Sequence, residues 1–188
     1  MVEFAKRRWY ILRDELFAYM VSVYHSICFQ REYKKLANRI SSIYTGFFLL
    51  TSAASIAAWS FWAEHEAVWA VITVTSQILQ ILKPLLPFEK QRQALIYIMQ
   101  DEQEMFGELE DYWYKVGRHD PPKASDEEIQ DKIHECKERF QKVSNRFAAD
   151  IDFPDWKWLH NRAKVKTTQY FWYYFNVNTE EEDCYAAK

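Results

Sequence analysis

Over residues 2–30 apolar positions return at Leu12, Leu16, Tyr19, Val23 and Ile27. These steps of three and four align on one helical face, with basic residues off it. The pattern then changes. No residue from 40 to 63 is charged, and after Glu64-His65-Glu66 the chain is uncharged again over 67–82, followed by Lys83 and Leu85-Leu86-Pro87-Phe88. Helical spacing resumes over 89–116, where Leu95, Ile98, Met105, Leu109, Trp113 and Val116 form a stripe. The loop 117–124 stops that helix at Pro121-Pro122. Ser125-Asp126-Glu127-Glu128 reads as a capping box, and Ile129, Ile133, Cys136, Phe140, Val143 and Phe147 follow as a heptad seam. With only three glycines and five prolines in 188 residues, the fold class predicted is all-α.

The uncharged stretches predict a two-helix transmembrane hairpin over 40–88. A hydrocarbon core about 30 Å thick needs about 20 apolar helical residues. The first stretch meets that length, and the second meets it if Lys83 snorkels to the interface. The mean hydropathy of -0.42 hides the segment because polar arms flank it. A soluble bundle with a buried apolar hairpin is the competing arrangement, but a chain this short has little other mass with which to wrap two such helices.

Charge orients the hairpin. The arm before position 40 carries Lys6, Arg7, Arg8, Arg13, Arg31, Lys34, Lys35 and Arg39, and the second segment runs into Lys83, Lys90 and Arg92, while the turn holds only Glu64, His65 and Glu66. The positive-inside rule therefore places both arms in the cytoplasm and the turn outside. Tyr44, Trp59, Trp62 and Trp69 fall where interfacial aromatic belts belong. No cleavable signal is expected, since the first long apolar stretch begins about forty residues in. Cys28, Cys136 and Cys184 are scattered and odd in number, which suits reduced thiols.

The organisation expected is thus a cytoplasmic amphipathic helix over 1–39, the hairpin over 40–88, a cytoplasmic antiparallel helical hairpin over 89–150 and an aromatic-rich segment over 151–188. The heptad seam needs a partner, either the preceding helix folded back or a helix of another subunit; the short loop and matching lengths favour the first. In the last segment Trp156, Trp158, Tyr170, Trp172 and Tyr173 crowd around Lys157, Arg162, Lys164 and Lys166. They form either an interfacial helix on the inner leaflet or the closure of a cytoplasmic core or partner groove.

Within the hairpin, Gly46, Ala53, Ala54, Ala57 and Ala58 offer a face on which another helix can approach closely. Thr73, Ser76, Gln77, Gln80 and Lys83 form a polar stripe. Such groups face a helix partner or water. Either they hold the hairpin together, or several copies assemble and the stripe lines an aqueous path with Gln80 and Lys83 at its cytoplasmic mouth.

The chain shows no Gly-rich phosphate loop, no His-Glu-x-x-His, no nucleophile elbow and no cysteine pair at metal spacing. No catalytic residue, metal site or cofactor is expected, and enzymatic activity is not. The five histidines are dispersed, and the carboxylates Asp101, Glu102, Glu104, Glu108, Glu110 and Asp111 read as a solvated face. From position 89 onward fifteen Lys and Arg stand against twenty-one Asp and Glu, so direct nucleic-acid binding is not expected.

The basic lead-in Arg31-Glu32-Tyr33-Lys34-Lys35-Leu36-Ala37-Asn38-Arg39-Ile40, the two closely spaced apolar segments, and the helix opening Glu89-Lys90-Gln91-Arg92-Gln93-Ala94 resemble the two-transmembrane effectors of bacterial antiphage systems. These include SLATT-type domains and the two-transmembrane proteins encoded beside retron reverse transcriptases. The resemblance implies a toxin that permeabilises the inner membrane and stops growth before phage spread, as in abortive infection. It further implies an oligomer held silent by a partner sensor: a reverse transcriptase with its msDNA, or a system built on a diffusible nucleotide signal. Without a nucleotide-binding domain of its own, the chain is expected to leave sensing to that partner. The other class of function is a non-catalytic membrane anchor or scaffold within a complex.

Overall fold

The computed structural model describes residues 2–57, 66–82, 88–117, 125–147 and 155–176. They form α1 (Val2–Ala57), α2 (Glu66–Leu82), α3 (Phe88–Gly117), α4 (Asp126–Phe147) and α5 (Lys157–Phe175), with no strand among the described residues. The protein is all-α. It divides into two compact units, one of Met1–Tyr33 with Ala94–Lys188 and one of Lys34–Gln93.

The larger unit is built from the stripes. Leu12, Leu16, Val23 and Ile27 of α1, Met105, Leu109 and Val116 of α3, Ile129, Ile133 and Cys136 of α4, and Phe171 of α5 are buried in one core. Contacts at successive turns give the helix directions. Phe17 meets Trp113 and Tyr24 meets Phe106, so α1 and α3 run antiparallel. Lys132 bonds Glu108 and Arg139 bonds Asp101, so α3 and α4 do too. Arg8 pairs with Asp126 and Glu15 with Lys137, which makes α1 and α4 parallel. Phe17 packs on Phe175 while Tyr24 stacks on Tyr170, so α5 descends along α1. These four helices alternate up and down.

The seam on α4 thus finds its partners within the chain. Its upper part enters the common core, and Val143 packs on Ala94 and Ile98 of α3. Phe140 stays exposed and Phe147's side chain lies outside the described residues. The predicted capping box is present: Ser125 Oγ accepts the Glu128 N–H at 3.2 Å, and Glu128 Oε2 accepts the Ser125 N–H at 2.8 Å. At the same end of the bundle α5 stops at Asn176, whose φ of 55° lies in the left-handed region that Asn tolerates better than most residues.

The smaller unit contains the second half of α1 and all of α2. Tyr44 of α1 donates its hydroxyl proton to the Leu79 carbonyl of α2, so the two segments touch. On α2 the half-buried residues Ile72, Ser76 and Leu79 lie on the side of that contact. Among the described residues no helix is long and apolar enough to cross a membrane. The spans read from the sequence continue through 58–65 and 83–87, which lie outside the described residues.

Candidate functional site

Two features of the described residues carry chemistry beyond ordinary packing: the outer surface of α2 and a buried carboxyl between α1 and α3.

On α2 the exposed face is apolar. Val71, Val74, Ile78 and Ile81 succeed one another at steps of three and four, with Val71 65% and Ile81 70% exposed. On α1 of the same unit Ile43 and Leu49 are exposed as well. Thr73, Gln77 and Gln80 occupy a separate flank, roughly a third of a turn from the apolar arc at 100° per residue. All three are exposed, so they do not lie on the Ile72-Ser76-Leu79 side that meets α1. Ser76 donates to its own helix, at the Ile72 carbonyl, 2.8 Å. Thr75 does the same at Val71, and Thr45 at Ser41. The cross-helix bond instead comes from Tyr44, a residue read from the sequence as a belt aromatic. Lys83 lies outside the described residues.

The small-residue face is described at one position. Among the described residues a methyl group placed on Gly46 would meet nothing within 4 Å, so none of the described helices is drawn up against it. The side chains of Ala53, Ala54 and Ala57, and Ala58 altogether, lie outside the described residues.

The second feature corrects the reading of the acidic run as a wholly solvated face. Glu102 is 2% exposed. Its Oε1 accepts hydrogen bonds from Gln30 Nε2 at 2.8 Å and Ser26 Oγ at 3.2 Å, and Gln30 Nε2 also reaches Ser26 Oγ at 3.2 Å. Glu102 Oε2 and Gln30 Oε1 are both buried without a protein partner. Burial disfavours the charged carboxylate and pushes its pKa up to about 7; the bonds from Gln30 and Ser26 offset part of this, and the nearby charge of Asp101 adds to it. A carboxyl whose charged form is disfavoured by burial is a site where titration and packing are coupled.

The signal for this cluster is legible in hindsight. The α3 stripe skips from Ile98 to Met105, and the vacant register position between them is Glu102. Continuing the α1 stripe three residues past Ile27 gives Gln30. Each stripe carries one polar residue where the period demands an apolar one, and the fold brings the two together.

Asp101, Glu104 and Glu108 of the run form a partly exposed ion network. Arg139 donates to Asp101 at 2.8 Å, to Glu104 at 2.9 Å and to Glu108 at 3.0 Å. The bond from Lys132 holds the Glu108 carboxyl below its ordinary range. Tyr97, Gln100, Asp101, Glu104, Val143 and Arg146 border an open groove of about 620 Å³ beside it.

The aromatic segment divides by face. Tyr170 turns inward, stacking on Tyr24 with ring centres 4.2 Å apart and donating to Glu110 at 3.0 Å. Burial, with Glu110 in second place, pushes the Tyr170 hydroxyl pKa up. Leu159, Ala163, Thr167 and Phe171 share the inner side, while Trp156, Trp158, Trp172 and Tyr173 are exposed. Nor do the histidines all stay apart: the rings of His25 and His160 stack 5.9 Å from each other, and His160 stacks on Phe29 at 4.4 Å.

No protein-family model, curated protein or solved structure matches the chain.

Proposed function

We propose that the protein is a membrane effector of bacterial antiphage defence, which permeabilises the inner membrane when a partner sensor releases it. The observation that carries this reading is the outward apolar arc Val71-Val74-Ile78-Ile81 on α2, in a unit whose sequence is uncharged over most of two segments. Contiguous exposed apolar surface on a helix calls for an apolar medium or a covering partner. The effector role comes from the resemblance in the layout of basic lead-in, paired apolar segments and amphipathic arm.

In this reading the unit inserts as a hairpin with both termini cytoplasmic, and several copies assemble in the bilayer. The exposed flank Thr73-Gln77-Gln80 supports oligomers, because polar groups at bilayer depth need water or another helix and this flank does not turn toward α1. A single hairpin encloses no pore, so permeabilisation requires that assembly. The bundle then serves as the handle by which the sensor, a reverse transcriptase carrying msDNA or a nucleotide-signalling protein, holds the effector silent.

The test is expression of the chain alone in bacteria, followed by carbonate extraction and a membrane-potential dye. The expected result is a carbonate-resistant protein that depolarises the cell, with depolarisation lost in a Gln77→Leu, Gln80→Leu double variant that still fractionates with the membrane. Full toxicity of the double variant would remove the pore. A carbonate-soluble protein that leaves the potential intact would replace the effector by a helical scaffold whose apolar helices are covered by a partner chain.

A further inference from the structure

We propose that the outward face of α5 docks on an anionic lipid surface. This deepens the membrane reading and rests on it for the presence of a bilayer within reach of the bundle.

The inner side of α5 is accounted for by Leu159, Ala163, Thr167 and Phe171 at steps of four. On the opposite side Trp158, Arg162, Val165, Gln169 and Trp172 recur at steps of four and three, and all are exposed, Val165 at 55% and Trp172 at 62%. A second amphipathic stripe therefore faces away from the core, on a helix whose first stripe is already buried. Arg162 lies over the Trp158 ring at 5.1 Å, and Tyr173 extends the aromatic end. Lys157 and Lys164 are exposed on the same helix.

Charge identifies the occupant. No acidic residue occurs from 156 to 175, although the chain from 89 onward carries six more acids than bases. The helix is a basic strip on an acidic unit, so its partner is anionic. A second copy of the same face would set Arg162 against its own copy with no acid on the face to pair it, which an isologous contact cannot relieve. A single-stranded nucleic acid needs stacking rings along a groove, whereas these side chains rise from one helix as a ridge with aliphatic Val165 at its centre. Trp and Tyr at the rim, an aliphatic centre and Arg or Lys beside them are what the headgroup boundary of a bilayer takes up.

The experiment places an NBD fluorophore in the full chain at Val165→Cys or, separately, at Ile78→Cys, both in a Cys184→Ser background; Cys28 and Cys136 are buried. Vesicles of phosphatidylcholine alone, or with about a third phosphatidylglycerol, carry spin-labelled quencher lipids. Quenching at position 165 is expected in the anionic vesicles at a lipid concentration about tenfold below that needed without phosphatidylglycerol. Arg162→Gln with Lys164→Gln should remove most of that preference without changing the far-UV spectrum. No quenching at 165, or equal quenching in both compositions, overturns the proposal. Protection of the 165 label by single-stranded oligothymidylate without lipid quenching also overturns it, in favour of nucleic acid. The label at 78 reports separately on the hairpin. Quenching at 78 but not 165 keeps the membrane reading and sinks the docking face; quenching at 165 but not 78 does the reverse.

Discussion

The two units use the same material, helices with apolar stripes, to opposite ends. In the larger unit Leu16, Met105, Leu109, Ile129 and Phe171 are fully covered, and charged residues such as Arg139 stay at the rim of the bundle. In the smaller unit Val71, Ile78 and Ile81 are more than half exposed on a helix without a single charge from 67 to 82. The bundle excludes water from its own side chains; the pair leaves its apolar surface for something else to cover. A stripe alone therefore says which side of a helix is apolar, and the number of helices around it decides whether that side is already satisfied.

This contrast can be broken by mutation. The largest effect is expected at Leu109→Ala, which should destabilise the bundle by about 3 kcal/mol, since truncating a fully buried Leu costs both transfer energy and a cavity. Urea denaturation would read it; a loss under about 1 kcal/mol would mean that the core is looser than the packing implies.

A comparable effect, but a pH-dependent one, is expected at Glu102→Gln. The folded-state pKa of Glu102, about 7, lies above the ordinary carboxyl value of 4.5, so the folded protein holds this proton more tightly than the unfolded chain. The wild type is therefore favoured below about 4.5 and loses that advantage as pH rises through about 7. The loss is worth roughly 3 kcal/mol at most. Relative to wild type, Glu102→Gln should be increasingly stabilising between pH 5 and 8. A flat difference between the two urea midpoints over that range would show that Glu102 is ionised throughout.

Smaller again is the helix cap. Ser125→Ala should cost about 1 kcal/mol by leaving the Glu128 N–H without its side-chain acceptor, and the thermal midpoint should fall accordingly. The smallest effect belongs to the other unit. Ile78→Ala should shift bundle unfolding by less than about 0.5 kcal/mol, because the side chain is not part of a closed core. A shift comparable with that of Leu109→Ala would erase the distinction between the two regions.

Much of the fold is legible along the chain. The helix-forming stretches, the end of α3 at Gly117, the capping box at Ser125 and Glu128, and most of the buried positions on α1, α3 and α4 follow from spacing and turn chemistry, which are local properties. The composition of the core is less so. Spacing shows that the α4 seam needs a partner, but the packing of Phe17, Tyr24 and Phe171 in one aromatic cluster depends on α1 being contacted by α3 and α5 together. Tyr170 and Trp172 are two residues apart in the same aromatic run; one stacks in the core and the other faces out, because successive pairs of helical positions point to different sides.

Sequence by itself determined the helical class, the charge-free segments and the places where helices stop, since each depends on residues within a few positions of one another. Only the tertiary structure decided which acid of the run is buried, which flank of α2 is turned from α1 and which face of α5 is left open. Those depend on side chains far apart along the chain, 35 residues for Tyr44 and Leu79 and 72 for Gln30 and Glu102, and a carboxyl takes its character from whatever the fold packs against it.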